Sequence, residues 1–99
     1  MVSRSIFWTK TAIKQFEAAI IFIDSDSSIS AEKVAAAILK ELNKTSKNAE
    51  FFPPDKYKKN NDGSYRAFEK CHYRVAYRIK NNVIRVLRVR HTKMGPKEY

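Results

Sequence analysis

Residues 72–91 alternate with a period of two, and no other stretch constrains the fold as much. Tyr73, Val75, Tyr77 and Ile79 fall on one side, and His72, Arg74, Ala76, Arg78 and Lys80 on the other. That pattern belongs to a strand with one face on a core and a basic outer face. Asn81-Asn82 comes next. Asparagine tolerates the positive φ of a two-residue hairpin turn, so Val83 to His91 reads as the return strand. Its start is apolar on both faces (Val83, Ile84, Val86, Leu87) and its end is rich in arginine, which suits a central strand with an exposed far end. Tyr65 to Cys71 supplies a weaker third member, and the last eight residues read as a tail.

The first half has a helical period. Ser5-Ile6-Phe7-Trp8 is a short β-branched and aromatic run that reads as a first strand, with Thr9 as an N-cap for a helix starting near Lys10. Ile13, Phe16, Ile20 and Ile23 recur at spacings of three and four, flanked by Ala12 and Ala19, and predict one buried stripe. The polar run from Asp24 to Ser28 ends this helix, and Ser28 or Ser30 caps a second one whose stripe is Val34, Ala35, Ile38 and Leu42. Two helices joined by so short a turn pack as an antiparallel hairpin. Pro53-Pro54 and Asn60-Asn61-Asp62-Gly63 then make Lys47 to Ser64 a long loop, of a length usually tied to function or mobility. The expected fold is α+β in a single domain over residues 1–99. An N-terminal strand leads into a helix hairpin packed on one side of a small antiparallel sheet of about four strands, in the order β-α-α-β-β-β. Such a fold leaves the other sheet face open, and the alternation puts Arg74 and Arg78 on it. Tyr73, Tyr77, Phe7 and Trp8 are assigned to the core.

Charge points to the partner. Twenty Lys and Arg against ten Asp and Glu give +10, and the excess is uneven. Residues 1–64 hold ten cations and eight acids, for +2, whereas residues 65–99 hold ten cations and only Glu69 and Glu98, for +8. Six of the seven arginines (Arg66, Arg74, Arg78, Arg85, Arg88, Arg90) lie in that last third. The arginine fork grips phosphate oxygens in pairs, so an acidic partner such as nucleic acid is expected on this sheet.

Other classes fall away. Cys71 is the only cysteine, so an internal disulfide framework is excluded and a cytoplasmic location is the default; it reads as an inert, partly buried thiol. His72 and His91 are the only histidines, and their spacing offers no tetrahedral metal set; no cofactor is expected. The longest apolar run, Ala18 to Ile23, is six residues, far short of the roughly 20 needed to span a bilayer, and no membrane partner is expected.

Three segments together resemble the RelE/ParE superfamily, the toxins of bacterial type II toxin–antitoxin pairs often called plasmid stabilization proteins. They are Ile6-Phe7-Trp8-Thr9 running into the Ala12…Phe16 helix, the Tyr73-Arg74-Val75-Ala76-Tyr77-Arg78 strand, and Val86-Leu87-Arg88-Val89-Arg90-His91. The resemblance covers nearly the whole chain and implies the architecture derived above. It also implies a toxin neutralised by a cognate antitoxin, with one of two activities: members either cut mRNA on the ribosome or poison DNA gyrase. The RNA-cutting members work without a metal, and cations with a tyrosine surround the scissile phosphate. By resemblance Arg74 is the strand arginine, and the spacing of a basic residue six positions before a closing tyrosine falls on Lys93 and Tyr99. His91 occupies a position where some members carry histidine, and Arg66 lies near further basic residues of the preceding strand. Lys93 stands where the RNA-cutting members usually have arginine.

The expected catalytic set is therefore Arg74, His91, Lys93 and Tyr99, with Arg66, Arg78, Arg88 and Arg90 as nucleic-acid contacts. His91 suits proton transfer, phosphate contact or mere surface, and Arg74 suits phosphate contact or an ion pair with Glu69. The leading expectation is a metal-independent, ribosome-dependent mRNA endoribonuclease that arrests translation. A gyrase inhibitor without hydrolytic chemistry is the alternative, and a general nucleic-acid-binding domain the third. The partners expected are the antitoxin with ribosome and mRNA, or with gyrase in the alternative.

Overall fold

The computed structural model describes residues 3–95 and 97–99. Strand β1 (Ser5–Trp8) leads into helices α1 (Lys10–Asp24) and α2 (Ser28–Lys47), then strands β2 (Tyr65–Lys70), β3 (Tyr73–Lys80) and β4 (Val83–His91), and a 3₁₀ turn over Thr92–Met94. The expected α+β arrangement is present. The sheet order is β1-β4-β3-β2, with β2, β3 and β4 antiparallel and β1 running parallel to β4. The parallel member follows from the connection: α1 and α2 carry the chain back to the far edge before β2 begins.

Local chemistry sets the boundaries. Thr9 Oγ1 accepts from the Ala12 N–H at 3.2 Å and donates to the Val86 carbonyl at 3.0 Å, so the cap of α1 is also tied to β4. The cap of α2 is Ser27, whose Oγ accepts from Ser30 N–H at 3.1 Å, and not the expected Ser28 or Ser30. Asn81 has φ +55° in the β3–β4 turn, as its side chain allows. The β2–β3 turn places both Cys71 and His72 at positive φ, so His72 belongs to the turn and not to the strand, and Cys71 is exposed.

The core lies between the helix hairpin and one sheet face. Tyr77, Ile38, Leu42, Ile84, Val75 and Val86 are fully buried, Tyr73 is nearly so, and Ala12, Ala49, Phe68 and Val89 complete the cluster. Tyr77 donates its hydroxyl to the Ala49 carbonyl at 2.7 Å, which satisfies a phenol deep in the core and draws the end of α2 onto the sheet. The stripe of α1 is rotated by one position from expectation: Ala12, Phe16, Ala19 and Ile23 face inward, and Ile13 is 41% exposed. Where a segment is apolar nearly all round, as Ala18–Ile23 is, periodicity does not fix its phase. Trp8 packs on the core against Phe16 at 5.2 Å, but Phe7 is on the other side of β1 and 53% exposed. Among the described residues no helix is long and apolar enough to cross a membrane.

Candidate nucleic-acid interface

Register decides which arginines share a face, because residues paired across strands project to the same side. Three rows form the side away from the helices: Tyr65–Arg78–Arg85, Ala67–Ala76–Arg88 and Glu69–Arg74–Arg90. Simple alternation along β4 would set Arg85 against Arg88 and Arg90 on opposite faces. A bulge removes that conflict. Ala76 pairs with Arg88 while Tyr77 pairs with Val86, leaving Leu87 as the extra residue, and the parity change gathers five arginines on one face.

That face is not open. The loop before β2 folds across it and brings Asp55, whose side chain is 0% exposed, against Arg74, whose own is 17% exposed. Asp55 Oδ1 accepts from Arg74 Nη2 at 2.7 Å and from Tyr57 N–H at 3.0 Å. Asp55 Oδ2 accepts from the Tyr99 hydroxyl at 2.7 Å. Burial pushes the Asp55 carboxyl up, but the bonds from Tyr99, the Tyr57 backbone and Arg74, with the charge of Arg74, outweigh it and hold the group below its ordinary value. Tyr99 moves the other way: burial, its bond to Asp55 and the charge of Asp55 hold its phenol protonated well above the usual range. Arg74 also reaches Glu69 Oε2 at 3.2 Å and stacks over the Tyr57 ring at 4.9 Å. The ion pair with Glu69 expected of Arg74 is therefore present, with a second to Asp55, on the basic face.

The tail is docked. Tyr99 N–H donates to the Tyr57 carbonyl at 3.1 Å, and Lys59 N–H donates to the Tyr99 carbonyl at 2.8 Å. The Arg88 guanidinium lies over the Tyr99 ring at 3.9 Å and donates to the Lys97 carbonyl. Arg90 donates to the carbonyls of Gly95 at 2.9 Å and Met94 at 3.1 Å. Between these groups is a cleft of about 60 Å³ lined by Tyr57, Glu69, Arg74, Arg88, Arg90, His91 and Lys97 among others.

The remaining expected residues divide. Arg78 is on the same face, bonded to Ser64 Oγ at 3.1 Å and stacked on Tyr65 at 4.7 Å. Arg66 is in the row of Tyr77, on the opposite side, and donates to the carbonyls of Gly63, Glu50 and Phe52; it staples the loop to β2. His91 pairs with Tyr73 in the helix-side row, edge-on to its ring at 4.9 Å, yet at the strand end it also borders the cleft. Its Nδ1 accepts from Lys93 N–H at 3.0 Å, so in the neutral ring Nε2 carries the proton and is a donor. Lys93 is exposed in the 3₁₀ turn, on the rim of a separate groove of about 580 Å³ between α1 and the end of β4, with Phe22, Tyr73, Val89, His91 and Met94. Asp55 and Tyr57 were not singled out in the sequence. The available signal was one acid after Pro53-Pro54, followed by Lys56, Lys58 and Lys59.

An antiparallel sheet with a parallel first strand, covered on one face by a helix hairpin and carrying five arginines on the other, defines the class: a small α+β domain with a basic sheet face. Residues 6–96 match the family described as the ParE toxin of the type II toxin–antitoxin system parDE, and the chain belongs to that family. Two solved structures share the fold. One is from the chromosomal ParDE TA system of P. aeruginosa, at 17% identity and TM-score 0.67, covering 90% of this chain and 96% of that one. The other is from the RelBE2 toxin–antitoxin complex of Mycobacterium tuberculosis, at 17% identity and TM-score 0.60, covering 91% and 99%. No curated protein compared with the sequence matches it.

Proposed function

We propose that this toxin is a metal-independent, ribosome-dependent mRNA endoribonuclease that works through the cleft on the basic sheet face. The observation that carries this reading is the convergence of Arg74, Arg88 and Arg90 on one small cleft with His91 at its rim. When a 2′-hydroxyl attacks the adjacent phosphorus, it gives its proton to solvent while the P–O5′ bond breaks, leaving a 2′,3′-cyclic phosphate and a 5′-hydroxyl protonated from solvent. Negative charge grows on the phosphate oxygens, and fixed cations stabilise that charge more in the transition state than in the ground state. Arg74 is held by two carboxylates and a ring, so little reorganisation is required of it. His91 acts as a donor to a phosphate oxygen, because its Nδ1 lone pair is engaged by Lys93 N–H. Tyr99 keeps its proton and positions Arg88 by stacking. Lys93, exposed on the separate groove beyond His91, contacts the RNA backbone outside the cleft.

A second reading has its own observation. Both proton-handling groups of the expected set are occupied, the Tyr99 hydroxyl by Asp55 and His91 Nδ1 by Lys93 N–H, as suits a binding surface without hydrolytic chemistry, that is, an inhibitor of DNA gyrase. In either case a cognate antitoxin covers the basic face and the helix hairpin, or displaces the docked tail, with an acidic or amphipathic segment that folds on the toxin. Induced expression separates the readings. Growth arrest with cut transcripts and unimpaired supercoiling is expected, and Arg74→Lys combined with Arg90→Ala relieves it. Arrest with intact transcripts and inhibited supercoiling would replace the first reading by the second.

A further inference from the structure

The basic face contains a buried acid that the electrostatics of phosphate binding would not call for. Asp55 is on the loop before β2, has a fully buried side chain and is ion-paired with Arg74, which lines the cleft. It bonds Arg74 Nη2 and the Tyr99 hydroxyl through different oxygens, each at 2.7 Å, and its Oδ1 is further fixed by Tyr57 N–H at 3.0 Å. The loop holds this carboxylate in place: Asn61 Nδ2 donates to the Asp55 carbonyl at 3.1 Å and the Tyr65 carbonyl at 2.8 Å, and Asp55 N–H donates to the Tyr65 carbonyl at 2.7 Å. One carboxylate thus connects three parts of the chain, the loop, β3 and the docked residues 97–99. Through Tyr99 it reaches Arg88, whose guanidinium rests on that ring at 3.9 Å.

We propose that Asp55 is the positioning residue of the cleft, holding Arg74 directly and Arg88 through Tyr99 so that both guanidinium groups meet one phosphate. The role rests on the RNA reading above. It makes a prediction opposite in sign to simple electrostatics. An acid beside a cationic cleft repels an anion, so removing its charge would tighten RNA binding if the charge were its only influence. If Asp55 positions the arginines, removing it weakens binding, because a guanidinium freed from its carboxylate must be ordered again when the phosphate arrives.

The test uses the full chain and a mixed-sequence 2′-O-methyl RNA decamer, which cannot be cut, with binding followed by fluorescence anisotropy and folding by circular dichroism. Asp55→Asn keeps the shape of the side chain and is expected to weaken binding by about tenfold, the scale of one lost charge-assisted contact. In the Arg74→Lys background the same substitution is expected to change affinity by less than about twofold, because its main target is already altered. Tyr99→Phe leaves Asp55 charged and its bond to Arg74 intact, and is expected to weaken binding by about threefold with the fold preserved. It serves as the measurement if Asp55→Asn fails to fold. Unchanged or tighter binding by Asp55→Asn, or by Tyr99→Phe in its place, overturns the positioning role. So does an Asp55→Asn effect equal in the wild-type and Arg74→Lys backgrounds. If Arg74→Lys itself binds RNA as wild type does, the RNA reading fails and the positioning role fails with it.

Discussion

At the scale of single residues, buried polar groups with full sets of partners do much of the organising. Tyr77 is the clearest case. Its phenol is pushed up to about 12 by burial, which outweighs the nearby charge of Arg66, so it stays a donor to the Ala49 carbonyl at any ordinary pH. Tyr77→Phe leaves that carbonyl without its partner in the core and is expected to lower stability by about 1–3 kcal/mol, read as a lower urea midpoint at an unchanged m-value. Asp55 sets the acid limit of the site. Its folded pKa is depressed, so its stabilising contribution is present above the ordinary carboxylate value of 3.8 and is lost as pH falls through the lower folded value. An acid titration followed by near-ultraviolet circular dichroism should show the environment of Tyr57 and Tyr99 released below that ordinary value, and Asp55→Asn should remove this step. The burial of Tyr77 was legible in the sequence, but the joining of Asp55, Arg74 and Tyr99 was not, because the three are far apart along the chain and meet only through tertiary structure.

At the scale of elements, strand periodicity and turn chemistry were readable and phase was not. β1 and β4 begin and end where alternation and the Asn81-Asn82 turn place them, β3 begins one residue later because His72 is in the turn, and Tyr73 and Tyr77 are in the core as expected. The stripe of α1 slipped by one residue because Ala12 and Ile13 are both apolar, and the close approach of α1 to β4 selects the smaller side chain. The bulge at Leu87 could not be read either, since nothing in Val86-Leu87-Arg88 marks it, yet it decides that Arg85, Arg88 and Arg90 share a face. Deleting Leu87 should therefore be tolerated. The shortened β4 regains plain alternation with Arg85 and Arg88 still on one side, and RNA affinity is expected to stay within about threefold of wild type. Inserting one alanine between Leu87 and Arg88 should instead cause a loss of tenfold or more, because Arg88 and Arg90 would then turn toward the core, where unpaired cations are costly.

At the scale of the whole molecule, the charge asymmetry that was visible in composition became a division of labour. Residues 65–99, at +8, build the basic face, and the +2 half supplies the helices that support it and the loop whose acid disciplines it. The sequence pattern suggested an open sheet face, with an Arg74–Glu69 ion pair as one of two readings of Arg74. The structure clamps the arginines of that face with Asp55, Glu69 and the docked tail, so the face is a preorganised cleft rather than a diffuse patch. The proposal that this cleft cuts mRNA on the ribosome is tested most directly by primer extension on a defined message translated in a purified system with added toxin. Breaks within codons in the ribosomal A site are expected for the wild type, none without ribosomes, and a reduction of at least about a hundredfold with Arg74→Lys, the scale set by losing one preorganised charge stabiliser. An intact message in the presence of active, folded toxin would contradict it.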